Sequence, residues 1–313
     1  MFGLSKEIRN LNSSVLSLLY RILYHPAINF LIRSVMKAIP FWPVRWRIQP
    51  SGILPIPLSN GKIMKLCTNQ TCHVTSVVFW EGSSAYEFTD IFLHLFSRSK
   101  VFFDVGSNIG YYAVMAGVTA PDLKVYAFDP SPGPFEFLQK NIELNACRTV
   151  KALQLALSDK EGMFSFHISY NLKYPYLGYR VLGGSGHLAH VRESPGLFKV
   201  NAECRTLDQF VEHNKIASID LIKLDVEEAE HLVLSGGKKS LAAFRPIVVC
   251  EVFSVEMLDL ILREILIGHY HCFLNEGNAL YPFSQGQSLA IEKPENFFFV
   301  PEEKLDLISG FVR

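Results

Sequence analysis

The sequence has 313 residues, of which 49% are hydrophobic, enough for a substantial core and too many for a wholly disordered chain. Its 30 Lys and Arg residues balance 30 Asp and Glu residues, so the chain lacks the basic surplus that broad nucleic-acid binding requires. The 6 cysteines are scattered and form no CxxC pair. This spacing argues against a structural zinc site or a disulfide framework and favours a reducing, cytoplasmic setting.

The first 50 residues are basic and have the apolar spacing of two helices. They hold seven Lys or Arg residues and one acid, Glu7. Apolar residues recur at helical spacing over 4–24, and Pro26 suits the first turn of a second helix. No stretch offers the roughly 18–20 uninterrupted apolar residues of a membrane-spanning helix. Two interpretations of this basic amphipathic extension (1–50) stay open. It packs on the main domain or on a second copy in a homo-oligomer, or it rests on an anionic membrane surface with Trp42 and Trp46 at the interface.

Residues 51–100 form a predicted lead-in of short strands, with a hairpin signal at Ser59-Asn60-Gly61 and a helix at about 86–96. From residue 101 strands alternate with helices, the pattern of a parallel sheet with right-handed crossovers. The predicted strands lie at 101–103, 124–128, up to 156, 220–224 and 246–250, and the helices at 109–118, 135–145, 229–234 and 255–267. Antiparallel edge strands are expected at 271–274, 278–281 and 297–300. The sequence thus predicts an α/β, doubly wound domain over 101–313.

The alternation fails between about 165 and 200, where tyrosines, a GGSG run and two histidines occur. A long insertion in a doubly wound domain is typical of a cap over the ligand crevice, here on the acceptor side. A solvated surface loop is the other interpretation. If the insertion closes over a substrate, His187 and His190 are alternative bases.

The strongest local motif is the heptapeptide DVGSNIG, which begins at Asp104 between a strand and a helix. Gly106 permits a tight turn, Ser107 follows it, and Gly110 allows close packing of helix on strand. The helix N-terminus offers N–H groups to a ligand. A dinucleotide site has a glycine where Asn108 stands, and the Asp104 carboxylate repels phosphate. The loop therefore favours a zwitterionic amino-acid group over NAD.

Two further loops follow the next strands. Asp129, with Pro130 beside it, ends the second strand, where a carboxylate accepts hydrogen bonds from both hydroxyls of a ribose. Ala156, Leu157 and Ser158 follow the third strand, where they would border an adenine ring. NAD sites share the ribose-binding acid, so only its combination with the asparagine-bearing loop favours S-adenosylmethionine as the cofactor.

Together these motifs resemble the FkbM family of S-adenosylmethionine-dependent methyltransferases. The resemblance covers about 86–301 and is carried by the ordered series VFFDVGSNIGYY, VYAFDP, ALSDKEG, RTLD, IDLIKLDVEEAE, PIVVCE and NFFFVP. It implies a mostly parallel, seven-stranded class I methyltransferase (Rossmann-like) sheet with one antiparallel strand, and methylation mostly of oxygen on saccharides, lipids or secondary metabolites. Two positions depart from the family pattern. Asp129 replaces the usual Glu, and Glu228 replaces the Gly of DVEGAE.

Methyl transfer to a hydroxyl calls for a base within hydrogen-bond reach of the acceptor. Because ligands of open α/β sheets lie outside the carboxyl ends of the strands, the acids expected there are Asp225, Glu227 and Glu251. Glu227 is the first choice as base, or else a helix N-terminal acid that offsets the helix dipole. Asp225 is a second candidate base, or it holds the methionine end of the cofactor. Lys223, in an apolar strand, pairs with one of these acids or orients an anionic acceptor.

The three acids also offer oxygen ligands to a divalent cation, an alternative that is not favoured. The leading interpretation is an O-methyltransferase with a small-molecule, glycan or lipid acceptor. The alternatives are a non-catalytic scaffold that binds S-adenosylmethionine for stability, and an NAD-linked oxidoreductase with a degenerate glycine loop. Nucleic acid is not an expected substrate, because the catalytic half has neither an Asn-Pro-Pro-Tyr type of motif nor a basic stripe.

Overall fold

The computed structural model describes residues 15–39, 41, 43, 46–169, 171–183, 197–265, 269–284, 291 and 293–313. The strands are β1 (Gly52–Pro57), β2 (Ile63–Thr68), β3 (Val101–Val105), β4 (Lys124–Phe128), β5 (Val150–Leu153), β6 (Ala156–Leu157), β7 (Gly162–Ser169), β8 (Leu197–Arg205), β9 (Leu221–Leu224), β10 (Ile247–Val252), β11 (Tyr270–Glu276), β12 (Ala279–Phe283) and β13 (Glu295–Pro301). The α-helices are α1 (Val15–Leu23), α2 (Pro26–Ala38), α3 (His73–Trp80), α4 (Thr89–Phe96), α5 (Tyr111–Thr119), α6 (Pro132–Leu144), α7 (Leu207–His213), α8 (Glu230–Ser235), α9 (Lys238–Phe244) and α10 (Val255–Ile265).

The main sheet has eight strands in the order β12-β11-β13-β10-β9-β3-β4-β5. Neighbouring strands from β10 to β5 are parallel, whereas β13 is antiparallel to both β10 and β11. The seven strands from β11 to β5, with β13 alone reversed among them, confirm the predicted class I methyltransferase sheet. β12 adds an eighth strand through a hairpin with β11.

The central strands are buried on both faces because helices cover each side of the sheet. β3 and β9 are buried along their whole length. Consecutive side chains of a strand point to opposite faces. Phe102 accordingly packs against Phe92 and Phe96 of α4, whereas Phe103 packs against Phe210 of α7. This two-sided cover is the doubly wound arrangement that the alternating pattern predicts.

The lead-in is a hairpin followed by two helices. Gly61, in the turn between β1 and β2, has φ +82, as the hairpin signal predicts. The helix expected at about 86 begins at Thr89, because Glu87 has a left-handed backbone with φ +43. α3 is an addition to the predicted elements, since its mostly apolar sequence HVTSVVFW has little helical periodicity.

The irregular insertion is shorter at both ends than predicted. β7 and β8 pair in antiparallel register, and β6 joins β8 in the same three-stranded sheet. Phe166, Ile168 and Ala202 form a small core of their own on this sheet. His187 and His190 lie outside the described residues.

The predicted helical extension is present as α1 and α2, with Pro26 as the first residue of α2. Among the described residues no single helix is both long and apolar enough to cross a membrane. α1 and α2 reach that length and composition only as a pair, and they are bent by 66° relative to each other. Residues 4–14 and Trp42 lie outside the described residues.

Candidate functional site

A cavity of about 300 Å³ lies at the carboxyl ends of β3, β4, β9 and β10. The sheet order places β3 between β4 and β9, so the chain leaves β3 on one side and later returns on the other. Open α/β sheets bind their ligands at such a switch point. The predicted cofactor residues that line the cavity are Gly106, Asn108, Asp129, Pro130, Ala156 and Leu157. The predicted acids Asp225, Glu227 and Glu251 also line it.

The turn after β3 is held tightly between the ends of two neighbouring strands. The N–H groups of Gly106 and Ser107 both donate to the carbonyl oxygen of Phe128, at 2.9 Å each. Gly106 has φ +78, and a Cβ at this position would overlap the carbonyl oxygen of Asp225. Conformation and space therefore both require glycine at 106, as the motif predicts.

Asn108 offers a hydrogen-bond acceptor to a ligand. Its N–H donates to Oδ2 of Asp129 at 2.8 Å, and its Nδ2 donates to the carbonyl oxygen of Leu182 at 3.1 Å. These two bonds fix the orientation of the amide. Its Oδ1 is buried and has no hydrogen-bond partner among the described residues. An ammonium or hydroxyl donor on a ligand suits this oxygen, since buried polar atoms are seldom left unpaired.

Asp129 presents a buried carboxyl to the same part of the cavity. Its Oδ1 accepts the N–H of Ser131 at 2.8 Å, so both carboxyl oxygens already receive one backbone donor. Burial raises the pKa of Asp129 to about 7. Each oxygen has a second lone pair, which leaves the side chain able to accept from the hydroxyls of a ribose.

Asp129→Ala is expected to weaken the binding of S-adenosylmethionine by about 10- to 100-fold, because a hydrogen bond to a charged group contributes about 1.5–3 kcal/mol. Isothermal titration calorimetry measures the change. Asp159→Ala is the matched control, because Asp159 follows β6, pairs with Lys160 and does not line the cavity. Wild-type affinity in Asp129→Ala would show that the ribose assignment is wrong.

The third loop contributes an apolar wall. Ala156 and Leu157 form β6 and line the cavity beside Phe164 and Phe166 of β7. Apolar and aromatic walls of this kind suit a flat ring such as adenine. Ala156 and Leu157 thus line the cavity, and their contact with the base stays a prediction.

Three predicted cofactor residues lie behind the cavity wall. The Ser107 hydroxyl donates to the carbonyl oxygen of Asp104 at 2.6 Å. Gly110 precedes α5 with φ +84, and a Cβ there would overlap Leu138 of α6. The N–H of Ser158 donates to a backbone carbonyl oxygen at the end of β8, at 3.0 Å. These residues shape the loops that face the cavity and do not themselves line it.

Asp104 and Lys223 also lie beneath the cavity, in the neighbouring strands β3 and β9. Oδ2 of Asp104 accepts the N–H of Ala113 at 3.1 Å, and its Oδ1 lies 3.9 Å from Nζ of Lys223. Burial raises the pKa of Asp104 to about 6. Asp104 does not line the cavity, and its predicted contact with an amino group of the cofactor stays a prediction.

Lys223, Asp225 and Glu251 form a charged group at the ends of β9 and β10. Nζ of Lys223 lies 3.0 Å from Oδ2 of Asp225, the ion pair that the apolar strand predicts. Burial alone would lower the pKa of Lys223, but the carboxylates of Asp225 and Asp104 raise it above its ordinary value. Glu251 lies within β10 rather than after it, because the strand continues to Val252. Burial, the charge of Asp225 and a hydrogen bond with Asp225 raise the pKa of Glu251 to about 8, so Glu251 carries a proton at neutral pH.

A further acid, Glu87, reaches this group from the lead-in and was not predicted. It lines the cavity beside Tyr86, and its Oε2 accepts the hydroxyl of buried Tyr112 at 2.8 Å. Burial raises the pKa of Glu87, and the charge of Lys223 opposes that effect. No strand–loop motif marks Glu87, because it enters the cavity from outside the predicted catalytic domain.

The divalent-cation alternative gains no support from this arrangement. The described residues contain no group of three or more His, Cys, Asp or Glu that is arranged to hold a metal ion. Asp225 and Glu251 are instead joined by a hydrogen bond and neighboured by the ammonium of Lys223.

The loop between β9 and α8 has an unusual backbone. Glu227 and Glu228 are both left-handed, with φ +55 and +76. Buried Glu230 holds the loop by accepting the N–H of Val226 at 2.7 Å, and burial raises its pKa to about 7. Glu227 lines the cavity, and its role as base stays a prediction. Glu228 is exposed and occupies the family's glycine position in a conformation that favours glycine.

Glu228→Gly is expected to stabilise the protein by about 0.5–1 kcal/mol. Removing the strain of a left-handed non-glycine backbone contributes about 1–2 kcal/mol. The greater conformational entropy that glycine gives the unfolded chain cancels about half of that gain. Urea unfolding measures the difference. Glu81→Gly is the control, because exposed Glu81 is right-handed with φ −113 and should lose stability. Equal losses in both variants would contradict the strain at Glu228.

The insertion contributes part of the cavity wall through Tyr179, Val181, Leu182 and Gly183. The N–H of Leu182 donates to the hydroxyl of Thr71 at 2.8 Å, which ties this wall to the lead-in. The described part of the insertion therefore lines the cavity, and its role as a cap on the acceptor side stays a prediction.

Comparison with known proteins assigns the catalytic region to a family. Residues 104–273 match the model of the methyltransferase FkbM domain. The 31-O-demethyl-FK506 methyltransferase FkbM of Streptomyces tacrolimicus is 27% identical over 62% of this chain and 80% of its own length. The hexuronic acid methyltransferase AglP of Haloferax volcanii is 29% identical over 49% of this chain and 56% of its own length. A solved FkbM methyltransferase structure from Methylobacillus flagellatus aligns with 64% of this chain and 43% of its own, at 15% identity and a TM-score of 0.42. Since the family model matches more than half of the sequence, this chain belongs to the FkbM methyltransferase family.

Proposed function

We propose that this protein transfers a methyl group from S-adenosylmethionine to a hydroxyl of a saccharide, a lipid or a secondary metabolite. One relative is named for an O-demethyl substrate, which supports an oxygen acceptor, and another is named for hexuronic acid, which supports a saccharide. The family membership favours this function over the scaffold and the NAD-linked oxidoreductase.

The cavity residues fit S-adenosylmethionine. The Oδ1 of Asn108 can accept a hydrogen bond from an ammonium group, and Asp129 can accept from the ribose hydroxyls. Ala156 and Leu157 provide an apolar wall for the base. Asn108 stands where a pyrophosphate site needs glycine, so this set fits a nucleoside with an amino-acid group better than a dinucleotide. When bound, S-adenosylmethionine supplies an electrophilic methyl group on a positively charged sulfur.

The observation that carries the proposal is the pairing of this nucleoside-binding end with an acidic end in one cavity. Asp129 and Glu251 lie three strands apart in the sheet, which corresponds to about 14 Å. The ionised Asp225–Glu251 pair can take the proton of an acceptor hydroxyl, and a base with a pKa near the working pH is the most effective. The ammonium of Lys223 compensates one negative charge of this pair while the proton is transferred from the acceptor hydroxyl.

The test is the release of S-adenosylhomocysteine and the transfer of a labelled methyl group to a panel of free sugars, uronic acids and glycolipids. A product with the label on oxygen is the expected result. Binding of S-adenosylmethionine with no transfer to any acceptor class would favour the scaffold. Tighter binding of NAD than of S-adenosylmethionine in calorimetry would overturn the proposal.

A further inference from the structure

Helix α2 packs on the protein through its polar side chains. Asn29 and Arg33 are its buried residues. The Arg33 guanidinium donates to the carbonyl oxygens of Ser51 and Ile53 at 2.6 and 3.1 Å, and Nδ2 of Asn29 donates to that of Gln49 at 3.0 Å. Oδ1 of Asn29 accepts the N–H of Ser51 at 2.8 Å. These bonds hold α2 against the strand β1 in a fixed rotation about its axis.

This rotation leaves the apolar side of α2 facing outward. Ile28, Leu31, Val35 and Ile39 recur at helical spacing, and all four are exposed, Leu31 to 64% and Val35 to 58%. An amphipathic helix on a soluble domain ordinarily turns this stripe inward. The hydrogen bonds of Asn29 and Arg33 make the reverse orientation the stable one.

Helix α1 also exposes apolar side chains. Its exposed large aliphatic side chains are Val15, Leu16, Leu18, Leu19 and Ile22. Phe30 of α2 and Trp46 after it are also exposed. A contiguous stretch of chain with so many exposed apolar side chains marks an interaction surface.

The chain that forms and flanks these helices carries one sign of charge. Residues 8–80 contain eight Lys and Arg residues and no Asp or Glu. Exposed Arg21 and Lys37 belong to α1 and α2 themselves. Basic residues beside an exposed apolar stripe complement an anionic lipid headgroup layer over an apolar interior.

We propose that the α1–α2 pair docks in the plane of an anionic lipid bilayer, with its apolar side chains in the headgroup boundary. The 66° bend between the helices and the polar anchoring of α2 to the domain favour a surface position over a spanning one. The basic charge favours lipid over a second copy of this chain, whose identical surface would place like charges in contact.

The docking surface adjoins the cavity wall. The rings of Tyr20 and Tyr24 in α1 contact the ring of Tyr174 at centroid distances of 5.3 and 5.5 Å. Tyr174 precedes the segment that lines the cavity through Tyr179 and Leu182. A bilayer beneath α1 would therefore lie close to the part of the cavity wall that the insertion forms. The inference that the acceptor is presented by the membrane rests on the proposed function, whereas the inference that the protein binds vesicles does not.

The test is co-sedimentation of the full chain with vesicles of phosphatidylcholine alone and of phosphatidylcholine mixed with phosphatidylglycerol. Binding to the anionic vesicles is expected, and the double substitution Leu31→Asp with Val35→Asp should weaken it by at least about tenfold. The matched control is Ile63→Asp with Met163→Asp, because these exposed apolar residues lie outside the helix pair. The control should bind vesicles as the wild type does.

Both double variants are checked by thermal melting and by S-adenosylmethionine binding, which neither should change. Equal vesicle binding by the wild type and by Leu31→Asp with Val35→Asp would overturn the proposal. The proposal would also be overturned if light scattering showed that the wild type is a dimer that does not bind vesicles. In that case the same two substitutions would dissociate the dimer. If the wild type binds anionic vesicles but transfers no methyl group to any acceptor, that result would count against the proposed function and not against membrane docking.

Discussion

Gly106→Ala is expected to raise the dissociation constant for S-adenosylmethionine by about 100-fold or more. A methyl group at this position would overlap the carbonyl oxygen of Asp225, so the loops after β3 and β9 must move apart. Overpacking of this kind costs about 1–3 kcal/mol, and a left-handed alanine at φ +78 adds about 1–2 kcal/mol. The displaced loops carry both Asn108 and Asp225, so the binding surface is lost along with part of the stability. Calorimetric titration and thermal melting measure the two effects.

Gly61→Ala separates the steric cause from the conformational one. Gly61 has φ +82, nearly the same as Gly106, but a Cβ there would meet nothing within 4 Å. This control should lose only the stability expected for a left-handed alanine and keep wild-type affinity. Wild-type affinity in Gly106→Ala as well would contradict the placement of the cofactor against this turn.

The end of the cavity that we propose binds the nucleoside was predictable because each of its parts is a short loop directly after a strand. Gly106, Asn108 and Asp129 belong to such loops, and adjacent parallel strands bring their carboxyl ends to one edge of the sheet. Short sequence motifs were therefore sufficient to predict that these distant loops meet at one edge of the sheet. Asp104 belongs to the same motif, but it precedes the end of β3, is buried and does not line the cavity, so its role toward the cofactor stays a prediction.

The acidic end was less predictable because it depends on contacts between distant segments. Glu87 reaches Tyr112 from a separate part of the chain, and its left-handed backbone has no sequence signal. The raised pKa of Glu251 arises from burial and from its neighbour Asp225, neither of which is visible in the strand sequence. The rotation of α2 was likewise hidden, because hydrophobic periodicity identifies an amphipathic helix but not the polar contacts of Asn29 and Arg33.

Glu251→Gln is expected to lower the turnover number by about 100-fold or more, since a positioned base contributes about 10²–10⁴ to such reactions. In the wild type, kcat/KM should rise with pH around a midpoint near 8, because Glu251 must be ionised to accept a proton. In the variant this rise should disappear. Initial rates of S-adenosylhomocysteine release over pH 6–9 measure both effects, and exposed Glu256→Gln, in α10, is the control.

The same carboxyl links pH to stability, which gives a readout independent of the acceptor. A glutamate with an ordinary pKa of 4.5 that is raised to about 8 in the folded state makes the folded protein bind more protons than the unfolded one between these values. Its stabilising contribution is therefore complete below about 4.5 and is lost as the pH rises through 8. The wild-type melting temperature should fall over this range more steeply than that of Glu251→Gln. Comparison with Glu227→Gln distinguishes the two candidate bases. If Glu227→Gln loses turnover while Glu251→Gln keeps normal turnover, the base is Glu227 in the loop after β9 and not Glu251 in β10.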